Sequence, residues 1–436
     1  MKKYFIYTYG CQMNVHESEK IAGIFVELGY SSTDKVEEAD LILFNTCCIR
    51  DTAEKHILGN IGDVKCLKKA NPNLIVAVVG CMTQQKGMAE NLKKKFPFIS
   101  VVLGTDNLSE LSSAIRSIEE KNKRFIADVH DDPNVDVGCA LPIHRTSGTN
   151  AWVNIMYGCN NFCTYCIVPF VRGRERSRSP KDVLAEVRSL IAQGYPEITL
   201  LGQNVDSYRY ENYDFSALLQ EIAQIDGKFR LRFMTSHPKD FDSKVIDVIA
   251  SCPNICNNIH LPVQSGSNRV LKLMNRRYTR ERYLEIIDEI RGKLPGVGIT
   301  SDIMTGFPTE TDEDFADTVS LMERVRFSNA FTFVYSPRKG TVAAEMEQLP
   351  AKVKQDRITE LVRIQNRISS ELSNVYLGKT EEILTEDVSP KHEGCVCGRT
   401  ESGRLVTYPG QADLVGKFVN VKIESARSSA LFGRII

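Results

Sequence analysis

The sequence predicts a mixed α/β chain in three folded parts: a parallel α/β sheet, an open barrel of six βα units, and a small β-barrel at the C-terminal end. Three observations carry this. Up to about residue 124, short β-rich runs alternate with helix-period segments; the alternation resumes at Ala151 and repeats six times; after Gly378 it gives way to short strands punctuated by Gly394, Gly398, Gly403, Gly410 and Gly416.

Taken in order, residues 4–7, 41–44, 75–79 and 101–103 read as strands with helices between them, which is the signature of a parallel sheet. Residues 128–150 hold Asp-Asp-Pro, glycines and Ser-Gly-Thr-Asn with little apolar periodicity, and read as a linker. Barrel strands are expected at 152–156, 198–201, 231–235, 258–261, 299–304 and 330–335. In 353–375, Ile358, Leu361, Ile364, Ile368 and Leu372 recur every three or four positions, so an amphipathic helix bridges to the last part. The small barrel takes strands at 382–385, 405–408, 418–423 and 431–436. The expected domains are therefore 1–127, the linker 128–150, 151–372 with the bridging helix, and 373–436. Gly378-Lys379-Thr380 is no phosphate loop, because Ser373 stands where that motif needs glycine.

With 42% hydrophobic and 25% charged residues among 436, the chain can bury a substantial core. Basic and acidic residues balance at 55 each, so no global field draws the protein to nucleic acid or membrane, and a polyanion must be met by local patches. The strongest apolar stretch, 74–82, falls far short of the roughly 20 residues that span a bilayer, and residues 1–9 show no signal peptide. No membrane segment and a cytoplasmic location are expected. Thirteen cysteines are too few for a disulfide scaffold of this length, and their odd number leaves one over; metal binding is the better default.

Cys159, Cys163 and Cys166 follow the first barrel strand, at the end where barrel enzymes keep their chemistry. Thiolates spaced C-x3-C-x2-C can wrap three corners of a 4Fe-4S cube, whereas structural zinc would want a fourth Cys or His nearby, and none follows at ligand spacing. Three ligands leave one iron open to a small molecule. A second set, Cys11, Cys47 and Cys81, sits at the ends of three different strands; a parallel sheet brings those ends to one crevice, where they suggest a second cluster with an open iron. Gly10 and Gly80 let the backbone turn tightly beside them. Cys48 competes with Cys47, but neighbouring strand side chains face opposite ways, so one of the two faces the crevice. Cys66, Cys139, Cys252, Cys256, Cys395 and Cys397 read as structural or surface thiols. His237 and His260 read as structural histidines.

The central triplet, with Tyr165 between its last two cysteines, resembles the signature of the radical S-adenosylmethionine superfamily. Together with Thr8-Tyr9-Gly10-Cys11-Gln12-Met13-Asn14, Asn45-Thr46-Cys47 with Ile49-Arg50, and the run from Cys159 to Arg178, it resembles the methylthiotransferases over essentially the whole chain. The Gln12-Met13-Asn14 continuation favours the branch acting on isopentenyladenosine in tRNA over those acting on threonylcarbamoyladenosine or a ribosomal protein; Cys48 departs from the serine expected in many members. The resemblance implies two 4Fe-4S clusters, S-adenosylmethionine as both methyl and radical source, and a C-terminal TRAM domain that binds RNA. In such enzymes the open iron chelates S-adenosylmethionine, and reduction splits it into methionine and a 5'-deoxyadenosyl radical. It also implies cofactor contacts at the barrel strand ends, at Gln203, Asn204, Ser236, Gln264 and Ser265, with Tyr165 near the adenine. The expected partners are a tRNA anticodon stem-loop carrying isopentenyladenosine, a reductant such as flavodoxin or ferredoxin, and a sulfur source.

Arg172, Arg174, Arg176 and Arg178 follow the cysteine loop and could grip phosphates. A second basic run, Arg269, Lys272, Arg276, Arg277, Arg280 and Arg282, reads equally well as a solvated helix face. The competing function class is an iron-sulfur RNA-binding regulator that senses redox state without turnover; the polar rim of the barrel argues against it.

Overall fold

The computed structural model describes residues 1–48, 51–121, 123–130, 141–145 and 148–436. The chain forms two compact units. One comprises Met1–Thr146, Met156–Phe162 and Cys166–Ser177, the other Ser147–Ile155, Cys163–Tyr165 and Arg178–Ile436.

The first unit begins β1 (Lys3–Thr8), α1 (Gln12–Glu27), β2 (Ser31–Ser32), β3 (Leu41–Thr46), α2 (Asp51–Ala70), β4 (Ile75–Gly80), α3 (Met88–Lys95), β5 (Val101–Leu103), α4 (Leu111–Lys121) and β6 (Ile126–Asp128). Its six strands pair in the order β2-β1-β3-β4-β5-β6, all parallel. The strands β3 and β4 are buried along their whole length, as central strands covered on both faces must be. Alternation divides their side chains between two cores. Ile42, Phe44, Val76 and Val78 pack with Ile57 and Ile61, while Leu41, Leu43, Ala77 and Val79 pack with Ile21, Ile24 and Phe25. The edge strands β2 and β6, two and three residues long, lie outside the sequence-based expectation, because runs this short carry no readable alternation.

Of the expected linker, 131–140 (with Cys139) and 146–147 lie outside the described residues, as do Ile49 and Arg50. Residues 141–145 pack on α1, where Gly23 leaves room for the Pro142 carbonyl and the His144 amide donates to Glu19 O at 2.9 Å. After β7 (Asn150–Asn154) the chain re-enters the first unit as β8 (Met156–Tyr157), α5 (Val168–Val171) and β9 (Arg176–Ser177), with β8 and β9 antiparallel.

The second unit continues with α6 (Pro180–Ala192), β10 (Glu197–Leu201), the hairpin β11 (Arg209–Tyr210) and β12 (Tyr213–Asp214), α7 (Phe215–Ala223), β13 (Arg230–Phe233), α8 (Ser243–Ser251), β14 (Asn258–His260), α9 (Asn268–Leu273), α10 (Arg280–Lys293), β15 (Gly298–Thr305), α11 (Asp312–Val325), β16 (Asn329–Val334) and α12 (Ala351–Asn374). Six parallel strands form the open barrel as two sheets, β13-β10-β7 and β14-β15-β16, and a bridge from Leu231 to Ile255 links them. Side chains of Asp214, Asp242, Ser267, Thr279 and Thr311 cap the helices that follow the strands.

The last five strands, β17 (Thr380–Val388), β18 (Cys395–Arg399), β19 (Leu405–Pro409), β20 (Phe418–Ala426) and β21 (Leu431–Ile435), close in the order β17-β18-β19-β21-β20 around Ile383, Val396, Val406, Tyr408, Val421 and Leu431. Within this unit the barrel strand β13 anchors them. Arg230 donates to the carbonyls of Arg399 and Glu382, both at 2.8 Å, and Arg232 to those of Thr400 and Glu401 at 3.0 and 3.1 Å. Strand β18 is hidden in the sequence, because Gly398 interrupts its apolar alternation. That glycine is required: a side chain there would collide with the Leu384 carbonyl.

Candidate functional site

In the first unit, the carboxyl ends of β1, β3 and β4 bring Cys11, Cys47 and Cys81 to one edge of the sheet. Gly10 turns at φ +108°, and a Cβ there would lie 2.7 Å from Cys47 Cβ and 2.8 Å from Cys47 Sγ, so the chain before Cys11 meets the Cys47 side chain through a gap only glycine leaves. Gly80 does the same at φ +101° against the Thr46 carbonyl, which accepts the Cys81 amide at 3.1 Å. Asn14 in the first turn of α1 ties the strand ends together. Its Nδ2 donates to Thr46 O at 3.0 Å, and Asn45 Nδ2 returns a bond to Asn14 O at 2.8 Å.

Arg172, at the end of α5, reaches this edge and is 5% exposed. Its Nε lies 3.2 Å from Cys81 Sγ, its Nη1 2.7 Å from Glu17 Oε1, and its Nη2 3.0 Å from Asn14 Oδ1. Burial works against its charge, but Cys81, Glu17 and Cys11 outweigh that and hold the guanidinium protonated. The hydrogen bond with Cys48, and then the Arg172 charge, pull the Cys81 thiol down despite its burial. The same bond and burial push Cys48 up. Cys48 thus sits against Cys81 in the apolar core.

Of the four arginines expected to grip RNA, the structure commits three to the protein itself. Arg172 is buried as described; Arg176 pairs with Asp106 at 2.8 Å; Arg178 is buried and donates to Glu186 at 2.7 Å and Asn154 O at 2.8 Å. A reading of charge along the chain has no way to see acids such as Glu17 and Asp106 that the fold brings from far away. Arg174 alone is exposed, with its guanidinium 4.3 Å over the ring of Phe162.

In the second unit, Cys163 is buried, and its Sγ lies 3.6 Å from Arg276 Nη1. Arg276 also donates to Pro262 O at 2.7 Å and Tyr278 Oη at 3.1 Å; burial opposes its charge, while Tyr278, Tyr165 and Cys163 sustain it. In the sequence it is one member of a basic run, and nothing local distinguishes it from Arg277. Tyr165 packs against Val270, Met274, Met304 and Phe307.

The expected cofactor contacts divide. Gln264 adopts φ +68° and is buried; its Oε1 has no hydrogen-bond partner among the described residues, a buried acceptor ready for a ligand. Gln203 stands half-buried in the turn after β10. Asn204 spends its Nδ2 on Asp240 at 2.7 Å and keeps a buried Oδ1 without partner among the described residues, whereas Ser236 donates to Asp206 at 3.2 Å. Ser265 is fully buried, with its hydroxyl engaged by Thr318 at 3.3 Å and by the Ser267 amide at 3.2 Å, and so holds the turn. His260 bonds Thr300 at 3.0 Å as a structural histidine would. His237 accepts the Lys239 amide on Nδ1 at 3.1 Å, which puts its proton on a buried Nε2 without a partner among the described residues; burial and Arg276 lower its pKa to about 2, so the ring is neutral.

Comparisons with known proteins bear on both sites. Residues 153–322 match the radical SAM superfamily, 3–104 an uncharacterised family, UPF0004, and 374–436 the TRAM domain. A tRNA-2-methylthio-N(6)-dimethylallyladenosine synthase of Clostridium botulinum (strain Langeland) is 49% identical over 100% of this chain and 97% of its own length. The synthase of the same name from Carboxydothermus hydrogenoformans is also 49% identical, over 100% and 99%. The chain belongs to the tRNA-2-methylthio-N(6)-dimethylallyladenosine synthases. At the level of fold alone, the synthase chain is similar to the radical S-adenosylmethionine methyltransferase TsrM from Kitasatospora setae (TM-score 0.58, 14% identity, 78% of this chain and 74% of that one) and to the cobalamin-dependent radical enzyme OxsB (TM-score 0.56, 12% identity, 84% and 56%).

Membership of the synthase family brings S-adenosylmethionine and 4Fe-4S clusters as cofactors. The residues present fit: Cys11, Cys47 and Cys81 share one sheet edge with an arginine on the Cys81 sulfur, and the second unit places Arg276 on Cys163 and the orphan acceptor of Gln264. Among the described residues no group of three or more His, Cys, Asp or Glu closes around one metal ion, which a cluster does not require, since it takes each thiolate on a different iron.

Proposed function

We propose that this chain converts N6-isopentenyladenosine next to the tRNA anticodon to its 2-methylthio derivative. In this reading Cys11, Cys47 and Cys81 hold one 4Fe-4S cluster and Cys159, Cys163 and Cys166 the other. The observation that carries it is the pair of cysteine trios, each with a buried arginine directed at one sulfur, in a chain 49% identical over its full length to synthases of that name.

The adenine C2–H is neither acidic nor polarised, so a general base has little to act on. When bound, the clusters and S-adenosylmethionine would supply the one-electron chemistry and the methyl group. The protein's own residues bind, orient and exclude water. Arg276 fixes Cys163 from behind, and the apolar wall of Val270, Met274 and Phe307 beside Tyr165 suits an adenine face. Gln264, Gln203 and Asn204 are the polar contacts proposed for S-adenosylmethionine; Ser236 serves it through the Asp206 turn. The closed barrel of β17–β21 and Arg174 on Phe162 are proposed for the anticodon stem-loop. A reductant such as flavodoxin or ferredoxin and a sulfur source complete the reaction in the cytoplasm. Among the described residues no helix is long and apolar enough to cross a membrane.

The test is anaerobically reconstituted protein with dithionite, S-adenosylmethionine and tRNA bearing or lacking the isopentenyl group, followed by nucleoside mass spectrometry. The 2-methylthio product is expected from the isopentenylated tRNA alone. Product on neither tRNA, or equal product on both, overturns the reading.

A further inference from the structure

Arg172 is 5% exposed, and four of its five guanidinium N–H donors are directed at Cys81, Glu17 and Asn14. Glu17 and Asn14 take the two Nη groups, and the remaining Nε–H points at Cys81 Sγ, 3.2 Å away. For stability alone such an arrangement is a poor choice, because a buried ion pair recovers its desolvation cost only with ideal geometry, and apolar side chains of the same volume serve as well. Glu17, 2.7 Å from Nη1, cancels the net charge of the pair, yet the fork still orients one N–H at sulfur. A cation donating to a cluster ligand stabilises the more reduced, more negative state, and hydrogen bonds to the sulfurs are among the levers that set a cluster's potential.

We infer that Arg172 is a positioning residue of the N-terminal cysteine site, holding Cys81 as a charge-assisted acceptor and raising the reduction potential of the cluster bound there. Glu17 and Asn14 are the brackets that aim it. The inference rests on the proposed assignment of Cys11, Cys47 and Cys81 as ligands. It also gives a role to the segment after the central cysteines. Arg172 lies six residues beyond Cys166, so the chain that leaves one cysteine set supplies the cation of the other. Acidic and basic neighbours facing the site from other elements are Glu17 of α1 and Arg172 of the α5 end.

The test uses full-length protein in which Cys159, Cys163 and Cys166 are replaced by Ala, so that only the N-terminal site loads. Iron and sulfide content, EPR and redox titration are compared for Arg172, Arg172→Lys and Arg172→Gln. Arg172→Gln is also made with Glu17→Gln, which removes the stranded carboxylate if the single variant folds poorly. The expected result is a more negative midpoint potential and an altered EPR signature in both Gln variants, with Arg172→Lys restoring the potential part of the way. Unchanged potential and spectrum in a loaded Arg172→Gln or double variant overturn the role of Arg172 and leave the ligand assignment standing. Failure of the parent with Arg172 intact to take up any cluster overturns the ligand assignment, and the inference with it.

Discussion

At Gly10 the whole N-terminal site depends on one missing Cβ. Gly10→Ala must both hold an L-residue at φ +108° and push a methyl group against Cys47, so the variant is expected to lose about 1–3 kcal/mol of stability. Its reconstituted protein is expected to lack the N-terminal share of iron, which an iron assay beside a urea melt checks. Arg276 is the equivalent dependency in the second unit. Arg276→Gln removes the charge directed at Cys163, and, with Cys163 as the proposed cluster ligand, 5'-deoxyadenosine formation is expected to fall about 10–100-fold. Asp206 supplies a pH signature. Burial, with Asp240 nearby, raises its pKa from 3.8 to about 7, although it accepts bonds from His237 N and Ser236 Oγ. A raised folded-state value means that its contribution to stability is fully present below 3.8 and is lost as the pH rises through about 7. The melting temperature of the native protein minus that of Asp206→Asn is therefore expected to fall between pH 5 and pH 8; a constant difference contradicts the burial of this carboxyl group.

The elements show why function concentrates where strands end. Strands β3 and β4 are apolar along most of their length because both faces are covered, and polarity is readmitted at Asn45-Thr46-Cys47 and Gly80-Cys81, where the sheet stops. In the barrel, Gln203 and Ser236 lie beyond the ends of β10 and β13, and Gln264 bridges to Ile303 of β15. At the opposite margin, β13 begins with Arg230, which is buried and satisfied by two carbonyls of the small barrel. Arg230→Met is expected to weaken that attachment by about 1–3 kcal/mol, the cost of stranding buried acceptors. Hydrogen exchange should rise in β17 and β18, and affinity for an anticodon stem-loop should fall, while 5'-deoxyadenosine formation persists.

Across the molecule, the two cysteine trios are separate commitments of the chain. Replacing Cys11, Cys47 and Cys81 with Ala is expected to leave one cluster and S-adenosylmethionine cleavage intact while abolishing methylthio product. Replacing Cys159, Cys163 and Cys166 is expected to leave one cluster and no cleavage. Iron counts, EPR and product analysis on the two triple variants check this, and loss of all iron from either one would show that the sites are not independent.

The order of parts, all six barrel strands, the bridging helix and the meeting of Cys11, Cys47 and Cys81 at one sheet edge were legible in the amino-acid order, because each rests on a local signal: a period, a spacing, or a cysteine at the end of an apolar run. Strands β2 and β6 were too short to show a period, and β18 was hidden by the glycine it needs. The roles of the arginines belonged wholly to the folded state. Arg172, Arg176 and Arg178 look like a phosphate grip along the chain, and Arg276 like a solvated helix face. Only folding sets Glu17, Asp106, Glu186 and Cys163 beside them. A charge acts through space over a few ångströms, so its meaning lies in neighbours that the chain order does not name.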